Sequence, residues 1–351
     1  MKKLTKLKEG AVLGAAAWAV YRVRKYPLGK GYFPASFLLL PRKAVSSSFA
    51  SFGNRQLRKM KLPLPPEGIR RYSFWIASKD EKSVRLTVYE PVHKKNGAPC
   101  LVYFHGGGFC FADAGYIHRN VAEYARNAEC KVIFVHYRTS DRYGFPTPFE
   151  DCCSGLQYVW ENSSLLGIDR DRLAVGGDSA GGALAAACTL WARDETEIRI
   201  AFQMLLYPVT DARMHTVSMT KYTDSPVWNA RLNERMWKLY LRNANFGEGE
   251  QTSDAGYPIW YASPMEAKDF SGLPKAYIEA EEFDCLHDEG LAYGEALRKA
   301  GVEVQTEDVK GTFHGFDLFF RAKKTRKMMQ LRCQALRKAF ALSSEMKETW
   351  E

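Results

Sequence analysis

From about residue 70 onward the hydrophobic pattern alternates between short apolar runs and longer amphipathic stretches. Short apolar runs bounded by turn residues predict buried strands, whereas apolar positions recurring every three or four residues predict helices. The predicted strands are Tyr72–Ile76, Val84–Tyr89, Leu101–Phe104, Lys131–His136, Leu173–Val175, Phe202–Tyr207 and Lys275–Ala280. The predicted helices are Asn120–Ala128, Pro148–Trp160, Ala180–Arg193 and Ala322–Leu342. This alternation indicates βαβ units around a mostly parallel sheet, and polar Ser78–Ser83 predicts a hairpin between the first two strands.

Two regions depart from this alternation. Residues 1–66 begin with a basic stretch, continue with the apolar run Ala11–Val20 and end in the rigid connector Pro63–Pro66. Between Ala212 and Tyr261 the pattern gives way to a segment rich in methionine, tryptophan and tyrosine. Its large side chains include Trp228, Met236, Trp237, Tyr240, Trp260 and Tyr261. Such residues are more often core than pocket, yet a segment covering a site must also bury its inner face, so we expect some to line a pocket.

The stretch Leu173–Leu184 combines a short buried strand, a glycine-bounded turn and the start of an alanine-rich helix. Ser179 lies at the tip of the turn, with Gly177 and Gly181 two positions to either side, which matches the G-x-S-x-G pattern of a nucleophile elbow. A serine attacks only when it is held beside a base, and the helix directs its positive N-terminal end toward a developing negative charge. The alternative is a glycine-rich helix start with a capping serine.

Two further motifs stand where such a nucleophile needs partners. The strand Leu101–Phe104 ends in His105–Gly108, the form of an oxyanion-hole loop, whose glycines leave backbone N–H groups unshielded. Downstream, Asp284 follows the strand Lys275–Ala280, and His314 stands in a Gly-x-x-His-Gly-Phe loop after one more helix and strand. The chain order serine, acid, histidine is the order found in α/β-hydrolases.

Together these motifs resemble those of the hormone-sensitive-lipase-like esterases, the bacterial α/β-hydrolases with HGGG and GDSAGG signatures. The match runs from about Pro99 to Phe316 and includes an Asp-x-Leu-x-Asp-Glu-Gly pattern over Asp284–Gly290. One departure is Thr139–Gly144, where the family usually carries a Leu-Ala-Pro-Glu run. Because that loop lies near the family's active site, the departure bears on substrate preference rather than on mechanism.

The resemblance implies an α/β-hydrolase fold, with a central, mostly parallel sheet flanked by helices and covered by a helical cap. Residues 1–66 would be an N-terminal cap segment and residues 212–262 a cap insertion. The hydrolase core would then consist of residues 67–211 and 263–351.

The resemblance also implies the site residues. Ser179 would be the nucleophile, Asp284 the acid and His314 the base. The oxyanion hole would be formed by the amides of Gly107, Gly108 and Ala180, and the supporting motif residues are His105, Gly106, Gly177, Asp178 and Gly181. Among other acids nearby, Glu281 and Glu282 lack the motif position, and we expect Asp288 to cap or pair. No metal ion or organic cofactor is expected.

Such a site predicts a serine carboxylesterase that hydrolyses short- to medium-chain acyl esters through an acyl-enzyme intermediate. An N-acyl deacetylase or amidase, and a lipase acting at a membrane surface, remain alternatives on the same triad. A non-catalytic binding protein is disfavoured, because the plant gibberellin receptors that resemble these hydrolases have lost the histidine, whereas His314 is present. The expected partner is a small-molecule acyl ester, and a homodimer stays open.

Charge and cysteine content limit the expected partners and cellular location of the protein. The chain has 50 Lys and Arg against 40 Asp and Glu, giving a net charge of +10. No recognised nucleic-acid motif accompanies this charge, so we expect a solvated basic face and no nucleic-acid partner. None of the eight cysteines forms a C-x-x-C pair, and most stand in apolar patterns. We expect them to be reduced and structural, which indicates the cytoplasm.

The N-terminal stretch Met1–Lys25 has two interpretations. Its apolar run is about half of the ~20 residues needed to span a bilayer. We favour a cap helix that buries Val12, Leu13, Trp18 and Val20 over the active site. The alternative is an interfacial helix that gives weak, peripheral membrane association.

Overall fold

A computed structural model of the protein describes residues 15–93, 96–246 and 252–348. The strands are β1 (Ile69–Ala77), β2 (Ser83–Pro91), β3 (Ala98–Phe104), β4 (Lys131–His136), β5 (Ile168–Asp178), β6 (Phe202–Leu206), β7 (Lys275–Glu281) and β8 (Val304–Val309). They form one eight-stranded sheet in the order β1-β2-β4-β3-β5-β6-β7-β8. Strand β2 pairs antiparallel with β1 and β4, and the other pairings in this sheet are parallel. All seven residues of β3 are buried, as expected for a parallel strand covered on both faces.

Helices cover the sheet. They are α1 (described over residues 15–25), α2 (Ser47–Leu57), α3 (Gly115–Asn127), α4 (Thr147–Glu161), α5 (Ala180–Glu195), α6 (Val217–Lys221), α7 (Ala230–Tyr240), α8 (His287–Lys299) and α9 (Lys323–Glu348). Short 3₁₀ helices occur at Phe33–Phe37, Arg42–Ala44, Ile259–Tyr261, Pro264–Glu266 and Phe316–Leu318. Helices α3 and α9 pack together, as do α4 and α5, and α8 covers β7 and β8. Among the described helices, none is both long and apolar enough to cross a membrane.

The predicted mostly parallel sheet and the β1–β2 hairpin are confirmed. Strand β4 has the predicted bounds, whereas α3 begins at Gly115, five residues before the predicted start, and β5 extends well beyond its predicted apolar centre. All eight cysteines are buried free thiols, which agrees with the predicted packing role.

The N-terminal segment is attached to residues 212–262 by polar contacts. Arg22 Nη1 lies 3.1 Å from Asp224 Oδ2, and the Tyr26 hydroxyl donates to Asp224 Oδ1 at 2.5 Å. The N–H of Val227 donates to the carbonyl of Leu38 at 2.7 Å. These bonds connect α1 and the chain that follows it to the segment that precedes α7.

One expectation for this segment is wrong. The sequence predicts that Trp18 and Val20 are buried, yet they are 45% and 51% exposed, because the segment docks through Arg22 of α1 and Tyr26 just after it, each 1% exposed. Val12 and Leu13, expected on the same buried face, lie outside the described residues.

Candidate active site

Ser179 occupies the sharp turn between β5 and α5. Its backbone has φ 56° and ψ −119°, a conformation that non-glycine residues rarely adopt and that stores strain. A side chain at Gly177 would clash with the backbone of Gly181, and one at Gly181 would clash with the carbonyl of Phe104. The two glycines are therefore needed for the close approach of β5, α5 and β3 at this turn.

The other two residues of the predicted triad meet Ser179 at the ends of later strands. His314 Nε2 lies 2.8 Å from Ser179 Oγ, and His314 Nδ1 lies 2.6 Å from Asp284 Oδ2. The second oxygen of Asp284 accepts the N–H of Leu286 at 3.0 Å, which holds the carboxylate in place. Asp284 is fully buried, and the serine and histidine are only 4% and 6% exposed.

The neighbouring acids face other partners. Asp288 accepts the N–H of Ser218 at 2.7 Å and pairs with His287 at 2.8 Å, which confirms the expectation that it caps or pairs. Glu282 accepts the N–H of Gly311 at 2.7 Å. Glu281 is fully buried, and burial raises its pKa well above its ordinary value.

The three N–H groups predicted to form the oxyanion hole are unused. The N–H groups of Gly107, Gly108 and Ala180 donate to no acceptor within the described part of the chain. Gly107 and Gly108 have φ of 116° and 57°, in the region that favours glycine. Ala180 is the first residue of α5, where N–H groups lack intrahelical acceptors and the dipole is positive. Unpaired N–H groups are what a developing oxyanion needs, so these three remain the predicted candidates for an oxyanion hole.

His105 and Asp178 hold the glycine loop against the elbow. The His105 ring stacks on Tyr137 with centroids 4.2 Å apart, and burial lowers its pKa to about 4, which keeps it neutral. Asp178 accepts the Gly106 N–H at 3.0 Å and the Tyr103 hydroxyl at 2.9 Å. Burial raises the pKa of Asp178 to about 6. The structure gives His105 the structural role expected of it.

Large side chains from residues 212–262 lie over His314 and the glycine loop. The rings of Trp228 and His314 have centroids 6.1 Å apart. A Cβ added at Gly108 would lie 2.7 Å from Trp228 Cη2 and 3.4 Å from Met236 Cγ. Tyr261, by contrast, stacks on Phe149 of α4, with centroids 5.2 Å apart, and so packs elsewhere.

The loop Thr139–Gly144, which departs from the family pattern, contacts the chain just after the HGGG motif. The Ser140 N–H donates to the carbonyl of Phe109 at 2.8 Å, and Ser51 of α2 donates to Asp141 at 2.6 Å. Asn54 of α2 donates to the carbonyl of Cys110 at 2.9 Å. Helix α2 and this loop therefore hold the chain immediately after the HGGG motif in position.

Sequence reasoning missed a cluster that begins with Asp113, five residues after the HGGG motif. Donor atoms of Asp113, His118 and His136 lie within 4.8 Å of one another, an arrangement that could hold a metal ion. Arg85 Nη2, however, lies 3.1 Å from His136 Nδ1, which places a cation at one of the ligand atoms. Burial opposes ionisation of Asp113, but hydrogen bonds from both histidines outweigh it and hold its pKa well below the usual range. We interpret the cluster as a hydrogen-bonded network that joins the chain after the HGGG motif to α3 and β4.

The strained serine on a strand-turn-helix, with histidine and aspartate at the ends of later parallel strands, defines the class as a serine hydrolase of the α/β-hydrolase type. Comparison with known proteins agrees. Residues 101–318 match a family model described as alpha/beta hydrolase fold. Carboxylesterase NlhH of Mycobacterium tuberculosis (strain CDC 1551 / Oshkosh) is 33% identical over 264 residues, 74% of this chain and 80% of that protein.

Two further proteins that are similar to this chain are also named esterases. The arylesterase of Saccharolobus solfataricus is 30% identical over 238 residues, 68% of this chain and 74% of that protein. The structure of a bacterial heroin esterase superposes with a TM-score of 0.79 at 32% identity, covering 90% of this chain and 99% of that one. The chain belongs to the hormone-sensitive-lipase-like branch of the α/β-hydrolase family. The predicted fold, family and class of serine ester hydrolase are thereby confirmed.

Proposed function

We propose that the protein is a carboxylesterase for short- to medium-chain acyl esters, with Ser179 as nucleophile, His314 as base and Asp284 as the acid. The observation that carries this proposal is the continuous line of contacts from Ser179 Oγ to His314 at 2.8 Å and on to Asp284 at 2.6 Å. Hydrogen-bond reach from nucleophile to base, and from base to an orienting carboxylate, is what nucleophilic acyl transfer needs.

The chemistry follows in two halves. His314 Nε2 removes the hydroxyl proton as Ser179 Oγ bonds to the ester carbonyl carbon, and Asp284 stabilises the imidazolium that forms. The free N–H groups of Gly107, Gly108 and Ala180 hold the carbonyl oxygen as it becomes negative. The alcohol leaves with the proton from His314. Water then attacks the acyl-enzyme by the same route and releases the acid and the free serine.

The side chains that cover the site favour substrates with short- to medium-length acyl chains. We assign residues 1–66 and 212–262 to a cap over a core of residues 67–211 and 263–351. Trp228 and Met236 of this cap lie against Gly108, so little free space is left beside the donors. The esterase names of the relatives favour small-molecule esters, and the eight buried thiols support the predicted cytoplasmic location. A deacetylase or amidase would use the same groups, and p-nitrophenyl esters of rising chain length assayed beside an aryl-acetamide distinguish the two.

The proposal predicts that Ser179→Ala lowers kcat for p-nitrophenyl acetate on the order of 10⁴-fold, because no other group can form the acyl-enzyme. The same variant should lose covalent labelling by a fluorophosphonate, read as a missing mass shift on the peptide that contains residue 179. Ser164→Ala, an exposed serine after α4, is the matched control and should keep both properties. Turnover above about one per cent in Ser179→Ala would show that another residue attacks.

A further inference from the structure

The chain between residues 15 and 66 leaves much apolar surface in contact with solvent. In the described part of the protein, nineteen large hydrophobic side chains are exposed, and eleven of them lie between residues 18 and 64. Among them, Phe33 is 60% exposed and Phe52 is 55% exposed. Exposed apolar side chains scattered singly need no explanation, but a concentration of this kind marks an interaction site.

The concentration arises because the helices of this segment dock through polar or small residues. Helix α1 is held by Arg22 and by Tyr26, the residue just after its end, and both bind Asp224. Helix α2 buries Ala50 and Asn54, one turn apart. At 100° per residue, Phe49 and Phe52 then project from the opposite side of α2, where they are 47% and 55% exposed. Within residues 15–93, 96–246 and 252–348, the apolar faces are therefore left without a partner.

Ring contacts make part of this surface continuous. Phe37 lies between Trp18 and Phe33, with centroids 5.8 Å and 5.5 Å away. The exposed residues Leu38–Leu40 follow directly in the chain, and the basic 3₁₀ helix Arg42–Ala44 comes next. We call this the N-terminal surface, and it comprises Trp18, Phe33, Phe37, Leu38, Leu39, Leu40, Arg42, Lys43, Phe49 and Phe52.

The charge of the segment has one sign. Residues 15–66 hold ten Lys and Arg and no Asp or Glu, as many positive charges as the whole chain's net +10. The cations are Arg22, Arg24, Lys25, Lys30, Arg42, Lys43, Arg55, Arg58, Lys59 and Lys61. All except Arg22 are exposed. Arg22 and Lys25 pair with Asp224, and the other eight cations have no acid within this segment. An apolar face flanked by such cations has the composition of a surface that inserts between anionic lipid headgroups.

We propose that the N-terminal surface docks on an anionic phospholipid bilayer. A second copy of this chain would bring the same cations against themselves, since a two-fold contact pairs identical surfaces, and so is disfavoured. A nucleic acid would satisfy the charge but would leave Leu38, Leu39 and Leu40 in water. An anionic bilayer satisfies both, because its headgroups pair with the cations and its acyl boundary takes up the apolar side chains.

The place of this surface relates docking to catalysis, although docking does not depend on the proposed reaction. The carbonyl of Leu38 accepts the N–H of Val227, and the next residue, Trp228, lies 6.1 Å from the ring of His314. A bilayer on the N-terminal surface would thus adjoin the cover of the candidate active site. Amphiphilic esters dissolved in that bilayer would be concentrated beside it.

The test is sedimentation of the full chain with vesicles of phosphatidylcholine containing 30 mol% phosphatidylglycerol, against vesicles of phosphatidylcholine alone, each at low and high salt. Binding should need the anionic lipid and weaken with salt. Each cation near the surface strengthens binding by about fivefold, so Arg42→Glu with Lys43→Glu should weaken it by at least about 25-fold. Leu39→Ser with Leu40→Ser should weaken it by about tenfold through lost apolar contact.

Matched controls separate this proposal from general charge effects. Lys268→Glu with Lys299→Glu makes the same charge change at exposed lysines elsewhere, and Leu165→Ser removes a leucine that is 80% exposed. Both controls should bind as the unaltered chain does. Hydrolysis of soluble p-nitrophenyl acetate should be equal in all variants, so a failure of the proposed esterase activity is seen separately from a failure of docking.

Three results would overturn the proposal. The first is that the unaltered chain does not sediment with anionic vesicles. The second is that the controls weaken binding as much as the variants of the N-terminal surface. The third is that light scattering in the absence of lipid shows a dimer that Leu39→Ser with Leu40→Ser dissociates, because the surface would then belong to a second copy.

Discussion

At the scale of single residues, hydrogen-bond partners separate side chains that the sequence makes look alike. Asp284 and Asp288 stand four positions apart around the start of α8, and both belong to the same motif. Asp284 is fully buried and contacts His314, whereas Asp288 is partly exposed and contacts Ser218 and His287. The two carboxylates should therefore differ greatly in their effect on turnover.

We expect Asp284→Asn to lower kcat on the order of 10⁴-fold, because an amide at this place donates to His314 Nδ1 and imposes the wrong tautomer. Asp288→Asn should change kcat by less than about threefold, since its partners lie outside the line from Ser179 to His314. Steady-state kinetics on p-nitrophenyl acetate compare the two, with thermal unfolding to check the fold. If Asp288→Asn proved the more damaging variant, the assignment of the acid would be wrong.

Two buried groups beside Ser179 should give the stability of the protein opposing pH dependences. The pKa of His105 falls from 6.5 to about 4 on burial, so the folded chain binds fewer protons than the unfolded chain between these values, and stability is lost as the pH falls. The pKa of Asp178 rises from 3.8 to about 6 on burial, so stability is gained as the pH falls through the same window. Each slope is about 1.4 kcal/mol per pH unit.

In the unaltered protein the two slopes oppose each other between pH 4.5 and 6. We predict that removing either group makes the slope of the other measurable in the free energy of unfolding. Asp178→Asn, which keeps the acceptor oxygen, should make stability fall more steeply with acid, whereas His105→Gln should make it fall less steeply or rise. Urea unfolding at four pH values in this window gives the slopes, so a constant loss of packing does not interfere. Two variants with the slope of the unaltered protein would show that neither group titrates in this window.

Motif order was sufficient to predict which residues meet at the site, because strands of a parallel sheet bring their carboxyl ends to one edge. Ser179, Asp284 and His314 all follow such ends, and so they could be predicted without knowledge of the packing. The cluster of Asp113, His118 and His136 could not. Its contacts reach Thr87 and Tyr89 on β2, and the pairing of β2 with β4 is a property of the sheet that no local pattern carries.

At the scale of elements, a buried ion network attaches the last helix to the site. Arg332 of α9 contacts Glu279 of β7 at 2.5 Å and 2.7 Å and Asp317 at 2.6 Å. Asp317 lies in the 3₁₀ helix that begins two residues after His314. Burial opposes the charge of Arg332, yet the two carboxylates outweigh it and raise its pKa well above the ordinary value. The sequence predicted α9 from its period but not these partners, which lie 53 and 15 residues away.

We expect Arg332→Met to lower the free energy of unfolding by about 3 to 5 kcal/mol, because it leaves two buried carboxylates without a counter-charge. Lys338→Met, on the same helix, removes an ion pair with Glu303 whose lysine is 68% exposed, and it should change stability by less than about 0.5 kcal/mol. Chemical denaturation of both variants measures the contrast. Equal losses would show that the network contributes no more than a surface pair.

At the scale of the whole molecule, two segments with 145 residues between them in the sequence, residues 15–66 and 212–262, contact each other beside the candidate active site. Asp224 accepts from Arg22 and Tyr26, and Val227 donates to Leu38, so the two segments are held together. The sequence indicated these segments by their break in the strand-helix alternation. It did not predict that α1 would leave Trp18 exposed, because the periodicity of an apolar run does not say which face a distant aspartate will bind.

The last prediction concerns the size of substrate that this cover admits. Trp228 lies against Gly108 and near His314, and its indole Nε1 donates to Asn233 at 3.2 Å, which fixes the ring in place. Trp228→Ala should remove this wall and let longer acyl chains bind, each additional buried methylene contributing about 0.8 kcal/mol. The ratio of kcat/KM for p-nitrophenyl octanoate to that for the acetate should then rise by about tenfold or more.

Trp260→Ala is the control for that experiment, because it makes the same change in the same segment but at a ring that packs edge-on against Tyr261, with centroids 6.3 Å apart. Its octanoate-to-acetate ratio should stay near that of the unaltered protein. Thermal unfolding of both variants establishes that they are folded under the assay conditions. An unchanged ratio in Trp228→Ala, or an equal rise in Trp260→Ala, would show that Trp228 does not limit acyl length, and the wall of the acyl site would have to be sought among other side chains of the cover.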